Sequence, residues 1–337
     1  MDVRAFCSQS RVLIVAGKGG VGKTTMVAAL AHLAAGAGLS VLVVELEGRT
    51  GVSRAFGGDD DLGYGGAVLH AAGATRDAPG DDSPVVAPGT VHARTITPDD
   101  ALLEYLDDHG MRRISKRLLS SGIIDLVAGA IPGIRDILVL GKVKQLEQAR
   151  VADLILVDAP ATGHAMTFLS SASGLLDAAR SGPIRSQAAD VVALLSDPER
   201  CQVALVTLPE EMPVNEVVEA AYQLEDVVGI ALGPVIVNAC TPPLAALEVP
   251  AAEAAGQAGV ALGADLADAL DEARRFRRHR QQLQEGQVDR LAAALPLPQL
   301  RAPYLFAAAI GPLELDTLSR SLADGIEALP EPDRVTA

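Results

Sequence analysis

A chain of 337 residues, 49% of them hydrophobic, has enough material for one large α/β domain or two smaller ones. Its formal net charge of −15 argues against nucleic acid or an anionic membrane as the main partner, so no nucleic acid is expected. No apolar run reaches the length of a membrane span, the N-terminus lacks a basic region followed by an apolar one, and Cys7, Cys201 and Cys240 form no C-x-x-C pair; a cytoplasmic protein with reduced thiols is expected.

The predicted elements begin with a short apolar run, Val12 to Ala16, which reads as a buried strand. The glycine-rich stretch Gly17 to Thr25 follows, and Met26 to Ala35 reads as a helix of good formers. Ser40 to Leu46 is a second buried strand, so the intervening helix is a right-handed crossover and the sheet is mainly parallel. Gly57 to Gly66 is rich in Gly and Asp, and Ala71 to Thr90 reads as a long mobile loop. Val91 to Ile96 is a strand by its alternation. Asp99 to Asp108, Arg112 to Ser120 and Ile134 to Ala149 read as helices, with Pro132-Gly133 separating the last two. Residues 98–150 are thus expected to form an inserted helical subdomain, joined by further helices over about 164–196, within one domain spanning 1–337. Asp153 to Asp158, Gln202 to Thr207 and Pro234 to Asn238 are core strands, the last two separated by an amphipathic helix near Pro213 to Val228. A closing helix covers Glu314 to Ala328. Such alternation predicts a doubly wound α/β sheet with ligand at the carboxyl ends of its strands.

Gly17-Lys-Gly-Gly-Val-Gly-Lys-Thr-Thr25 fits G-x-x-x-x-G-K-[ST], and it lies between strand and helix, the context that makes the string a phosphate cradle. Glycine lets backbone N–H groups converge on phosphate oxygens, and the helix N-terminus adds partial positive charge there. The cradle is expected to comprise Gly17, Gly19, Gly20, Val21, Gly22, Lys23, Thr24 and Thr25, with Lys23 on the β- and γ-phosphates and the Thr24 hydroxyl on Mg²⁺. Asp158, a carboxylate ending a buried strand, needs a cation, and Mg²⁺ is the one a P-loop supplies. Asn238 ends a strand where the base of a nucleotide would lie; its amide can both donate to and accept from adenine. No N-K-x-D guanine motif accompanies it, so ATP is favoured over GTP. Arg274 to Arg280 is the one basic run, with Asp268, Asp271 and Glu272 placed to pair with it; a solvated helix face is the default and an acidic partner the alternative.

The loop, with its second lysine Lys18, resembles the deviant Walker A of the signal-recognition and Min/ParA-like ATPases. Val157 to Leu169 resembles the Asp-Thr-Ala-Pro-Thr-Gly-His-Thr switch of the arsenite-pump (ArsA) and tail-anchored-protein-targeting (Get) ATPases, through Asp158, Thr162, Gly163, His164 and Leu169. The Ala-Pro pair is shifted one place. The similarity is nearest to short, stand-alone bacterial ArsA-like proteins. It implies a SIMIBI-like P-loop NTPase that binds and hydrolyses ATP with Mg²⁺. It also implies a homodimer, or a heterodimer with a paralogue, in which Lys18 acts on the partner's nucleotide. Glu47 falls where the family has an Asp that orients the attacking water, so a slow rate is expected. Glu210, Glu211 and Glu216 resemble family positions near the partner's nucleotide. A client protein is implied, a membrane-associated one among the candidates. Two alternatives stay open: a weakly hydrolysing or non-hydrolysing regulatory subunit, and an arsenite or anion efflux motor subunit. A zinc clasp through C-x-x-C pairs is not expected.

Overall fold

The computed structural model describes residues 1–46, 51–58, 62–71, 85–108 and 133–330. The expected helix at Arg112 to Ser120, residues 72–84 of the expected mobile loop, and Glu47 lie outside the described residues.

Eight strands form one sheet in the order β3-β4-β2-β5-β1-β6-β7-β8. They are β1 (Val12–Gly17), β2 (Val41–Leu46), β3 (Ala67–Ala71), β4 (Thr90–Ile96), β5 (Leu154–Ala161), β6 (Cys201–Thr207), β7 (Ala231–Cys240) and β8 (Gln299–Pro303). All neighbours pair in parallel except β3, which runs antiparallel to β4 at one edge. Both β1 and β2 are buried along their whole length, as strands covered on two faces must be.

One face carries α1 (Val3–Cys7), α2 (Lys23–Gly36), α3 (Gly51–Ala55) and α11 (Pro312–Glu327). The other carries α4 (Pro98–Asp108), α5 (Ile134–Gln148), α6 (Thr162–Ala178), α7 (Pro183–Leu195) and α8 (Glu211–Gln223). Its cover is completed by the C-terminal end of α10 (Ala264–Ala294), which follows the short α9 (Ala251–Ala258). The described parts of the expected helical insert lie directly on the sheet: Ile137, Leu140 and Val143 of α5 share one core with Ile14, Val44 and Val157.

Helix α2 is apolar all round through its middle because that stretch is enclosed all round. Met26 to Ala31 are buried without exception, and α11 closes over it, with the Ser319 hydroxyl donating to the Ala29 carbonyl at 3.0 Å. Small alanine side chains allow that close approach.

Several boundaries differ from the sequence expectations. Strand β5 continues three residues past Asp158. Strand β7 starts at Ala231, before Pro234, which is accommodated where the register with β6 shifts between Val203 and Leu205. Strands β3 and β8 have no counterpart in the sequence reading; both are five-residue edge strands. The C-terminal end of the expected mobile loop is pinned. Val86 is buried and donates its N–H to the Val151 carbonyl, Gly89 bonds the Leu39 carbonyl, and Thr90 already belongs to β4.

Candidate nucleotide site

The site lies at the carboxyl end of β1, in the middle of the sheet between β5 and β6. Gly17 ends the strand so close to β6 that a Cβ there would stand 2.3 Å from the Val206 carbonyl oxygen. Gly22 begins the helix in the left-handed region, φ 90°, and a Cβ there would stand 2.3 Å from Nδ2 of Asn238. Both positions therefore require glycine for space, and Gly22 for backbone conformation as well. Gly19 and Gly20 are exposed, with open space over Gly20. No side chain caps the N-terminus of α2, so the N–H groups of its first turn are left for a ligand.

Lys23 is buried at 6% exposure, and its ammonium donates to the Lys18 carbonyl at 3.0 Å, folded back across the loop. The Thr24 hydroxyl donates to Asp158 Oδ2 at 2.6 Å. Register explains that meeting: β5 pairs with β1 so that Asp158 stands beside Val15, and it is 1% exposed. A hydroxyl and a carboxylate side by side are hard oxygen donors suited to Mg²⁺, which takes its remaining positions from phosphate and water. The residues present therefore fit the ion that the loop implies. Among the described residues no cluster of three His, Cys, Asp or Glu forms a protein-only metal site.

Sequence reasoning missed Glu45. It is fully buried at the end of β2, in register with Asp158 on the neighbouring strand, and its Oε1 accepts the Val52 N–H at 3.0 Å. It thereby fixes the first turn of α3 beside the site, where Gly51 approaches Thr24 so closely that a Cβ would lie 2.5 Å from Thr24 Cγ2. The available signal was an acid inside an otherwise apolar strand.

Asn238 lies next to the loop and grips it. Its Nδ2 donates to the Val21 carbonyl at 2.9 Å, and its Oδ1 accepts the Ala239 N–H at 2.8 Å. Here the amide serves the loop's own backbone. Lys18 is half-exposed, and its ammonium pairs with Glu216 of α8 at 2.6 Å within the same chain. Beside that pair opens a cavity of about 350 Å³ lined by Lys18, Gly19, Ala161, Gly163, Met166 and Glu216, among others. Thr25 is half-buried in the first turn of α2, and His164 is exposed in the first turn of α6.

The cysteines do not converge on this site. Cys7 is on α1, Cys201 opens β6 and Cys240 ends β7. Burial pushes the Cys7 thiol up to about 12, with Asp2 adding to it, and the Cys240 thiol up to about 11; it raises Cys201 as well. Thiols held protonated on three separate elements are poor ligands for a soft anion.

A glycine loop between central strand and enclosed helix, a buried lysine, and a Thr–Asp pair beside them define a P-loop nucleotide-binding fold, here with the extra lysine of the deviant Walker A class. Residues 12–63 match the family described as the CobQ/CobB/MinD/ParA nucleotide binding domain. The chain is 37% identical over 239 residues to the ATPase BagA of Mycobacterium tuberculosis, an alignment covering 69% of this chain and 66% of that protein, just under two thirds of its length. It is 30% identical over 173 residues to the ATPase GET3C of Arabidopsis thaliana, covering 48% of this chain and 41% of the relative. It is also 31% identical over 172 residues to the ATPase ARSA1 of Chlamydomonas reinhardtii, covering 48% and 21%.

Proposed function

We propose that this chain is an ATP-hydrolysing switch that works as a dimer, either with itself or with a paralogue, and passes nucleotide-driven closure to a client protein. The observation that carries the reading is the pair of lysines on one loop. Lys23 is buried in the cradle, whereas Lys18 is half-exposed at its rim. A lysine that serves its own nucleotide belongs inside; one at the rim is placed to reach a neighbour's. The relatives' names, all ATPases, support the reaction class.

In this reading the loop amides and Lys23 hold the phosphates of ATP. Thr24 and Asp158 hold Mg²⁺, which supplies charge neutralisation at the β- and γ-phosphates. Glu47, by its place in the sequence, orients the attacking water. Asn238 steadies the loop and lies on the side where the base enters. The cytoplasm is the proposed location; among the described residues no helix is long and apolar enough to cross a membrane.

The test is ATP turnover by Lys18→Ala. Binding of Mg·ATP should persist, while hydrolysis should fall by about 10³-fold or more, as when a finger residue acting in trans is removed. Normal turnover by that variant would refute the shared-site reading. Wild-type chain that binds Mg·ATP but turns it over only when mixed with its paralogue would favour the regulatory-subunit alternative. The efflux-motor alternative requires stimulation by arsenite, which the scattered, protonated cysteines do not favour.

A further inference from the structure

Helix α10 runs for 31 residues, yet its buried residues are Gln284, Val288 and Leu291, all in its last third. Residues 264–283, about 30 Å of helix, thus contribute nothing to the core and meet the body of the protein only at its surface, as where Arg277 lies 5.9 Å over the Phe306 ring. With α9, which buries nothing, they form an arm. The arm is braced within and at its base: Asp271 accepts the Ala251 N–H at 3.0 Å and pairs with Arg274 at 2.8 Å, and Arg278 pairs at 3.0 Å with Glu248 in the turn before α9. Part of the basic run is thus spent holding the arm together. Leu266, Leu270, Phe276 and Leu283 are left 46–71% exposed.

The root of the arm is fastened to the phosphate loop by two polar threads. In the first, Gln284 is 8% exposed; its Oε1 accepts the Thr241 N–H at 2.8 Å and its Nε2 reaches the Ala239 carbonyl at 3.4 Å. Ala239 is bonded to Asn238, and Asn238 to the Val21 carbonyl. In the second, Arg290 donates to Asn215 Oδ1 at 2.5 Å and to the Glu211 carbonyl at 3.1 Å. Both belong to α8, whose Glu216 holds Lys18. One helix thus grips the loop at both ends, Lys18 and Val21. Ala239 has a φ of 58°, a left-handed conformation that is unfavourable for an alanine and persists only while its surroundings enforce it. It is a strained joint in the middle of the first thread.

We infer that α10 transmits the state of the phosphate loop, and that the arm 251–283 is where nucleotide occupancy is read out. This rests on the reading that Mg·ATP fills the loop. Phosphate entering the cradle takes Lys23 from the Lys18 carbonyl and pulls on both ends of the loop. Asn238 and Glu216 follow, and Gln284 and Arg290 turn that shift into a movement of the arm and its apolar face.

Hydrogen exchange of the full-length chain tests this with Mg·AMP-PNP as the probe, alongside calorimetry. In the wild-type chain the probe should alter exchange over 264–283 by about fivefold or more, the lower range of ordinary coupling. In a Gln284→Leu, Arg290→Ala double variant the heat of binding should remain and the change over 264–283 should vanish. Gln284→Glu, which keeps the acceptor for Thr241, should restore part of it in the Arg290 background. An arm that is indifferent to a probe that demonstrably binds overturns this inference alone, as does a nucleotide effect that survives the double variant. No heat with the wild-type chain overturns both this inference and the ATP reading.

Discussion

The two ends of the sheet are built on opposite plans. At the amino ends of the strands, Glu147 of α5 is buried, with Arg11 at 2.8 Å and Arg200 at 2.6 Å. Asp153 accepts both the N–H and the hydroxyl of Ser40, whose oxygen in turn accepts the Asp153 N–H. Charges there are closed against partners from distant parts of the chain. At the carboxyl ends the polar groups meet provisionally: Lys23 leans on a carbonyl of its own loop, and Thr24 on Asp158. In the ATP-bound state proposed above, each of these contacts would give way to a stronger one with phosphate or Mg²⁺. The lesson is that the sheet's amino ends close buried charges against fixed partners, whereas its carboxyl ends hold, beside the half-exposed Lys18–Glu216 pair and the Asn238 and Glu45 bonds that shape the site, groups whose present partners a nucleotide could take over.

Substitutions at the two ends should separate these roles. The largest effect is expected from Lys23→Ala, which removes a charged donor from the phosphates. Affinity for Mg·ATP by calorimetry should fall about 10- to 100-fold. Glu147→Ala is next. It should cost about 1–3 kcal/mol in urea unfolding while leaving Mg·ATP affinity unchanged; the arginines are 40% and 22% exposed, so water softens their loss of a partner. A loss of nucleotide affinity in Glu147→Ala would break the division.

The smallest effect concerns acid. Burial lowers the imidazole pKa of His32 on α2, helped by His70, whose ring lies 5.0 Å away, and burial lowers that of His92 on β4. Both are thus held neutral in the fold. A depressed folded pKa contributes stability above the ordinary value of 6.5, lost as pH falls through the folded value. Melting temperature should therefore drop between about pH 7 and about pH 5, and a His32→Gln, His92→Gln double variant should flatten that slope. An unchanged slope would mean that the carboxylates alone set the acid limit. Glu104 is one of these: burial works against its charge, but Lys142 and the Tyr64 hydroxyl outweigh this and hold its pKa low.

What was legible in the sequence was whatever is local. The cradle from Gly17 to Thr25 is contiguous, and the central strands are unbroken apolar runs, so both could be read directly. Asp158 was legible because an acid in such a run needs a reason. Gln284, Glu147 and Arg290 were not, since each acts on residues far away in sequence, a pairing that only the topology creates. Pro234 misled for a local reason: a proline inside a strand reads as a boundary, and only the register shift against β6 shows how the sheet absorbs it. Edge strands β3 and β8 were too short to show a period. The role of Asn238 was half-visible; its place at a strand end was clear, but not that its amide is taken up by the loop.

The enclosure of α2 has a mechanical consequence. A rod packed between a sheet and α11, with the Ser319 hydroxyl tied to its Ala29 carbonyl, resists tilting or sliding, and would do so if cargo arrived at its tip. It acts as an anvil. Whatever recoil follows phosphate capture must go sideways, through the glycine rim and the side chains that hold it, so the rigidity of one helix determines which parts of the molecule are left to move.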